Sequence, residues 1–256
     1  MDSTVYLISG ANRGIGRAFV TKYISYTNVV VVACVRNPLD ETSTSLHDLR
    51  KGEGSRLIIV QTDLADESSI KAAMQSLSRD GIDKIDVLIA NAALGGRVGP
   101  LIETTQENFR QHMEVNAWAL VALFRAALPF LKKSPSPKFV SISSFGASHA
   151  GIPVLTDVPI GLYAASKSLG NFLVRRLSIE HRDICSFNLA PGFVATTMAN
   201  SAGGDREDGP AGAMLKILPL ISPAESVGAM TKIINIATLD RHSGRFLNYS
   251  GEEIPW

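Results

Sequence analysis

Residues 29–35 read VVVVACV, seven positions without a polar side chain. A run this short does not make a self-sufficient helix, and β-branched valine, stiff at χ1, suits a pleated strand. Both alternating faces of the strand are apolar, so it needs cover on both sides. A parallel sheet between two layers of helices provides that cover. The same grammar recurs along the chain. Val5–Ser9, Leu57–Gln61, Val87–Ala90, Lys138–Ser143 and Ile184–Ala190 are brief, apolar or β-branched, and bounded by polar residues or glycine. Between them, amphipathic spacing predicts helices over Ile15–Tyr26, Glu67–Ser78, Asn108–Leu131, Gly161–His181 and Pro223–Leu239. The last begins SPAE: Ser222 caps it, Pro223 takes the first helical position and Glu225 stands at N3. The alternation implies an α/β fold, a doubly wound parallel sheet flanked by helices with right-handed crossovers. No interior stretch reads as a linker, so residues 1–256 are expected to form a single domain. Two loops, Ser144–Ile160 and Pro191–Ser222, follow strands on their carboxyl side, where open sheets of this kind bind ligands.

Charge and composition exclude several functions. The chain has 25 Lys+Arg against 24 Asp+Glu, a net charge of +1, so neither nucleic acid nor an anionic membrane is expected as a partner. No stretch gives 18 uninterrupted apolar residues, and the opening MDSTVYLISG has no basic leader. Cys34 and Cys185 lie in apolar runs and read as buried thiols of a reducing compartment, so a cytoplasmic protein is expected. The histidines and cysteines show no metal-ligand spacing, and no metal is expected.

The motifs lie at the expected carboxyl edge. Gly10, Gly14 and Gly16 follow the first strand and open the first helix. A turn there lets backbone N–H groups and a helix N-terminus approach a pyrophosphate, because glycine has no Cβ to block it. The spacing G-x-x-x-G-x-G differs from the G-x-G-x-x-G dinucleotide fingerprint. After the second strand of such folds, an acid holds the ribose 2′-OH and an arginine accommodates a 2′-phosphate. Here Arg36 stands at that place and no carboxylate precedes Asp40; Arg13 adds a second guanidinium in the glycine turn. The pattern favours NADP(H), since guanidinium matches phosphate bidentately. Asp63 with Leu64 closes the third strand and Asn91 the fourth, placing one acceptor and one amide at the same edge. The bland readings are a helix cap for Asp63 and a turn-stabilising role for Asn91.

Tyr163 and Lys167 open a long helix at i and i+4, so phenol and ammonium face one cleft. A free tyrosine ionises near pH ~10, and a neighbouring ammonium is expected to lower that value, suiting the phenol to proton exchange with a carbonyl. Ser143 and Ser144 end the strand KFVSISS, where a hydroxyl would reach a substrate oxygen. Asn116 lies inside a helical pattern, where asparagine is mildly unfavourable, and suggests a structural or proton-relay hydrogen bond. Pro191-Gly192 turns the chain after the sixth strand and brings Val194 and Thr196 to the same edge.

Taken in order, GANRGIG, Asp63, Asn91, Asn116, the strand-end serine, Tyr163/Lys167 and PGFVATTM resemble the short-chain dehydrogenase/reductase family of single-domain kind, over most of the chain. The stretches ACVRNP, YAASKSLGNFLVRRLSIEH and SGRFLNYSGEEIPW further resemble fungal ketoreductases of the norsolorinic acid type and, more distantly, sniffer-like carbonyl reductases. The resemblance implies a Rossmann-type fold and NADPH-dependent reduction of a ketone. It implies Tyr163 as proton donor, Lys167 as the group that tunes it and holds the nicotinamide ribose, Ser144 (less favoured, Ser143) orienting the carbonyl, and Asn116 steadying a water relay. Cofactor contacts are implied for Gly10, Asn12, Arg13, Gly14, Ile15 and Gly16. They are implied also for Arg36, Asp63, Leu64, Asn91, Tyr163, Lys167, Pro191, Gly192, Val194 and Thr196.

Two departures stand out: Ala93 replaces the family's usual glycine, and the segment between Ser144 and Tyr163 is long. The loop at about 193–222 is expected to cover the substrate; its apolar Met198, Met214, Leu215, Ile217 and Leu218 suit an apolar or aromatic, polyketide-like ketone, or merely pack on the domain. A homodimer or homotetramer through helices 108–131 and 161–181 is implied as well. The competing readings are a non-catalytic NADP-binding sensor, an isomerase or dehydratase on the same fold, and a Ser–His hydrolase using His149, for which no G-x-S-x-G elbow is present.

Overall fold

A computed structural model describes residues 3–95, 99–198 and 210–256. Seven parallel strands form one sheet: β1 (Thr4–Ser9), β2 (Val29–Val35), β3 (Arg56–Gln61), β4 (Val87–Ala90), β5 (Lys138–Ile142), β6 (Cys185–Ala190) and β7 (Phe246–Asn248). Their order is β3-β2-β1-β4-β5-β6-β7, which reverses direction between β1 and β4. The crevice at that switch point is where a ligand of such a sheet sits. The helices are α1 (Gly14–Ile24), α2 (Glu67–Arg79), α3 (Gln106–Leu131), α4 (Gly161–Glu180) and α5 (Pro223–Ile236), with shorter turns between.

All seven residues of β2 are buried, as the VVVVACV run requires. One apolar layer gathers α1, α5 and one face of the sheet through Phe19, Tyr23, Phe187 and Met230. The other gathers α2, α3 and α4 through Leu77, Phe124, Phe139 and Val174. Burying side chains of this size contributes roughly 1.5–3 kcal/mol each. Cys34 and Cys185 are free and buried; burial pushes each thiol up to about 11. Ser222 Oγ accepts from the Glu225 backbone N–H at 3.1 Å, the predicted cap of α5.

The differences from the sequence reading are local. The short edge strand β7 was not anticipated, and the helix expected through Leu239 ends at Ile236, before a separate turn at Leu239–His242. The α3 helix is long and apolar enough to cross a membrane by length and composition, but half of its apolar stretch is buried within the fold. It is interrupted by a π-helical turn at Glu114–Trp118. Within the loop Pro191–Ser222, Phe193–Val194 pairs with Leu220–Ile221 in a small parallel ladder. The polar tip GGDRED, residues 203–208, lies outside the described residues.

Candidate active site

The glycine turn is shaped by close approach. Gly10 and Gly14 hold φ of +63° and +53°, conformations that side chains disfavour. Gly16 is tighter still: a Cβ there would stand 2.0 Å from the Gly10 carbonyl oxygen and 2.6 Å from Asn91 Nδ2. The N-cap of α1, Arg13, makes no side-chain cap, and the first turn carries no acid. Its leading N–H groups and positive dipole end are therefore left for an anion. Ile15 is partly buried behind the turn, packing on the core.

Asn91 ties β4 to this turn. Its Nδ2 donates to the Ser9 carbonyl at 2.9 Å and the Gly10 carbonyl at 3.2 Å, while Ser9 Oγ accepts from the backbone N–H groups of Asn91 and Ala92, both at 3.0 Å. The turn-stabilising reading of Asn91 is thus the one its bonds display. Asn12 is similarly engaged, donating to Thr42 Oγ1 at 2.6 Å, which in turn donates to Asp40. Ala11 N–H donates to the Cys34 carbonyl at 3.2 Å, bringing the glycine turn to the end of β2 two residues before Arg36. Arg13 and Arg36 are both exposed, and neither has an ion pair among the described residues. Asp63 accepts from the Ala65 N–H at 3.0 Å, a local turn, and Leu64 packs on the core.

On the other side of the crevice, the π turn in α3 carries Asn116, 1% exposed. Its Oδ1 accepts from Leu94 N–H at 2.7 Å, and its Nδ2 donates to the Leu94 carbonyl and to Ser166 Oγ, both at 3.0 Å. The amide thereby holds the β4 loop to α4. A single π turn inside a helix is a frequent mark of a functional site.

The two candidate serines part company. Ser143 turns inward, donating to Asn171 Oδ1 at 2.6 Å. Ser144 accepts from Gly146 N–H at 3.2 Å and lies against the Tyr163 phenol, whose ionised form it favours. Lys167 is buried and donates to the Ile142 carbonyl at 2.8 Å, with its Nζ 6.0 Å from the centre of the Tyr163 ring. Burial lowers the ammonium to about 8. Contrary to the expectation from Tyr163 and Lys167 spacing, the phenol is raised, to about 12, because burial outweighs the opposing effect of the Ser144 hydroxyl. Removing an anion from water costs more here than an ammonium directed at a carbonyl recovers.

The chain after β6 closes the crevice. Pro191 is buried and its carbonyl accepts from Ser226 Oγ at 2.6 Å; Gly192 turns with φ +83° against Tyr249. Val194 is buried in the small ladder, and Thr196 faces the glycine turn: a Cβ on Gly14 would meet its methyl at 3.3 Å. His149, the hydrolase candidate, bonds Ser168 Oγ at 2.8 Å and neither Ser143 nor Ser144. Among the described residues no group of His, Cys, Asp and Glu gathers as for a metal. The contributions of Ser9, Ser166 and Asn171 were not anticipated; Asn171, one turn beyond Lys167 on the same helix face, was readable by the same i, i+4 spacing.

A parallel sheet with an uncapped, glycine-lined helix start at its switch point, facing a half-buried Ser–Tyr pair over a buried lysine, defines a dinucleotide-binding oxidoreductase. The chain belongs to the short chain dehydrogenase family, whose model matches residues 4–207. It is 39% identical to the short chain dehydrogenase gsfK of Penicillium aethiopicum over all of both chains. It is 33% identical to the norsolorinic acid ketoreductase nor1 of Dothistroma septosporum, over 99% of this chain and 92% of that one. Among solved structures, the NADPH-bound carbonyl reductase from chicken fatty liver superposes with a TM-score of 0.85 at 29% identity, covering 100% of this chain and 95% of that chain. The protein is an oxidoreductase of the carbonyl- and ketoreductase type, in a family that binds a nicotinamide cofactor and acts on small-molecule carbonyl substrates.

Proposed function

We propose that this protein is an NADPH-dependent ketoreductase that converts an apolar or aromatic, polyketide-type ketone to its alcohol. The observation that carries the reading is the Ser144 hydroxyl set against the Tyr163 phenol, beside the buried Lys167. A phenol held at about 12 keeps its proton at neutral pH and is poised to give it to a carbonyl oxygen that gains negative charge. Ser144 aims that oxygen at the phenol, and the Lys167 charge favours the phenolate left behind. The bound nicotinamide supplies the hydride; the protein supplies position and electrostatics.

The uncapped start of α1 suits the pyrophosphate, with Gly10, Gly14, Ile15 and Gly16 forming its cradle and Asn12 bracing the turn. Arg13 and Arg36, exposed and without an ion pair among the described residues, suit a 2′-phosphate. Asp63 and Leu64 would border the adenine, Asn91 the ribose side, and Pro191, Gly192, Val194 and Thr196 the nicotinamide carboxamide. The loop at about 193–222 would cover the substrate, where half-exposed Met198 and Leu215 favour an apolar ligand. Residues 1–256 would act as one domain. Exposed Phe109, Leu169 and Phe172 on α3 and α4 favour a homodimer or homotetramer through those helices, and the buried free thiols favour the cytosol. The test is a fluorescence titration with NADPH and NADH of the parent and of Arg36→Ala. The reading expects NADPH to bind more tightly than NADH and the substitution to weaken NADPH far more. Equal weakening of both would refute the 2′-phosphate assignment.

A further inference from the structure

Strand β5 runs into α4 through three consecutive residues. The Ile142 carbonyl accepts from Lys167 Nζ at 2.8 Å, Ser143 donates to Asn171 Oδ1 at 2.6 Å, and Ser144 lies against the Tyr163 phenol. On the helix, Tyr163, Lys167 and Asn171 follow one another at four-residue intervals along one face. The outer two contacts belong to the groups assigned above to proton transfer. The middle one is sealed from the cleft, with Ser143 4% and Asn171 2% exposed.

We propose that Asn171 is a positioning residue: through Ser143 it fixes the end of β5, so that Ser144 and the Ile142 carbonyl are presented to Tyr163 and Lys167. This rests on the ketoreductase reading of those groups. The β5–β6 strand pairing ends at Ile142, and beyond it the Ser143 N–H bond to the Leu189 carbonyl, at 2.9 Å, continues the contact. That backbone bond sets the height of the strand end but leaves the peptide entering Ser144 to be oriented by side chains. The same turn of α4 is held to β6, because the Asn171 carbonyl accepts from Asn188 Nδ2 at 3.2 Å. Asn171 is therefore anchored independently of the strand it orients. Ser143 is the only hydrogen-bond partner of the Asn171 side chain among the described residues, so the link is removable by one change. An apolar pair would fill the same space without fixing a direction, whereas a buried hydrogen bond fixes one.

The experiment compares Ser143→Ala, Asn171→Leu and the double variant with the parent for melting temperature, NADPH affinity, kcat and KM. Each single change leaves a buried polar group unpaired and lowers stability and activity together. The double change removes both partners, which is often close to neutral for stability. Its expected result is a parental melting temperature and NADPH affinity, with kcat lower by on the order of ten- to a hundredfold and a KM for ketone little changed. A double variant with parental melting temperature and parental kcat overturns the inference. Should it fail to fold, the near-isosteric pair Ser143→Thr and Ser143→Val decides: threonine retaining kcat while valine loses it supports positioning, and equal kcat overturns it. Tyr163→Phe runs beside them. If it keeps parental turnover, the site reading falls and the inference with it; if it is inactive while the double variant is fully active, only the inference falls.

Discussion

Gly16→Ala is the most sharply specified perturbation in this fold. The added methyl would lie 2.0 Å from the Gly10 carbonyl oxygen and 2.6 Å from Asn91 Nδ2. Carbon and carbonyl oxygen rest no closer than roughly 3.3 Å, so α1 and the turn must separate by more than about 1 Å. One of the two groups struck is backbone, which cannot swing aside. The other is the amide that ties the turn to β4 through bonds of 2.9 and 3.2 Å. Overpacking of this kind costs about 1–3 kcal/mol. Losing the two Asn91 bonds adds about 1 kcal/mol each, for a total of roughly 3–5 kcal/mol. At about 2–4 °C per kcal/mol for a chain of this length, the melting temperature should fall by roughly 6–20 °C. The assay is thermal unfolding with and without NADPH, together with the NADPH titration, in which affinity should drop by more than about tenfold, or 1.4 kcal/mol. Gly14→Ala is the internal comparison. Its methyl meets only Thr196, at 3.3 Å, and its φ of +53° costs about 1–2 kcal/mol, so it should be the milder change. A Gly16→Ala protein that melts within about 1 °C of the parent and binds NADPH equally well would refute this account of the turn.

Other changes test the second half of the site. Ser144→Ala should reduce turnover by on the order of a hundredfold while NADPH binds as before, because the carbonyl loses its orienting donor; unchanged kcat would remove Ser144 from the mechanism. Lys167→Met should abolish turnover yet raise the melting temperature near neutral pH, since it deletes a charge that burial disfavours. The sign follows from the folded value of about 8 lying below the unfolded one of 10.5: the unfolded chain holds more protons between them, and parental stability recovers as pH rises through that window. The stability advantage of Lys167→Met should therefore shrink from pH 8 toward 10.5, and one that grows there would contradict the burial argument. Asn116→Ala should destabilise the protein by roughly 1–3 kcal/mol, read in a denaturant melt, because Leu94 and Ser166 lose their partner; an unchanged midpoint would show that the amide does not hold the β4 loop.

Most of the sheet was legible because its strands are continuous apolar runs closed by turn residues. Val29–Val35 and Val87–Ala90 were read to the residue. Phe246–Asn248 was not, since three residues at a sheet edge show no period. The π turn at Glu114–Trp118 was equally hidden: the hydrophobic spacing of α3 runs through it, and only the misplaced Asn116 marked the spot. Tyr163, Lys167 and the glycines were legible as spacing. The choice between Ser143 and Ser144 was not, because adjacent hydroxyls at a strand end are equivalent until the helix that meets them is placed. The direction of the Tyr163 shift was misjudged for a related reason: spacing reveals the neighbouring charge but not how much water the phenol loses.

The central claim is that Tyr163 donates the proton in an NADPH-dependent ketone reduction. It is tested most directly by following NADPH oxidation and alcohol formation with an aromatic ketone in the parent and in Tyr163→Phe, each first shown to bind NADPH. The account predicts one alcohol formed per NADPH consumed by the parent, and a variant that binds NADPH with parental affinity but turns over at least a hundredfold more slowly, about 2.7 kcal/mol. Parental turnover by Tyr163→Phe would contradict it.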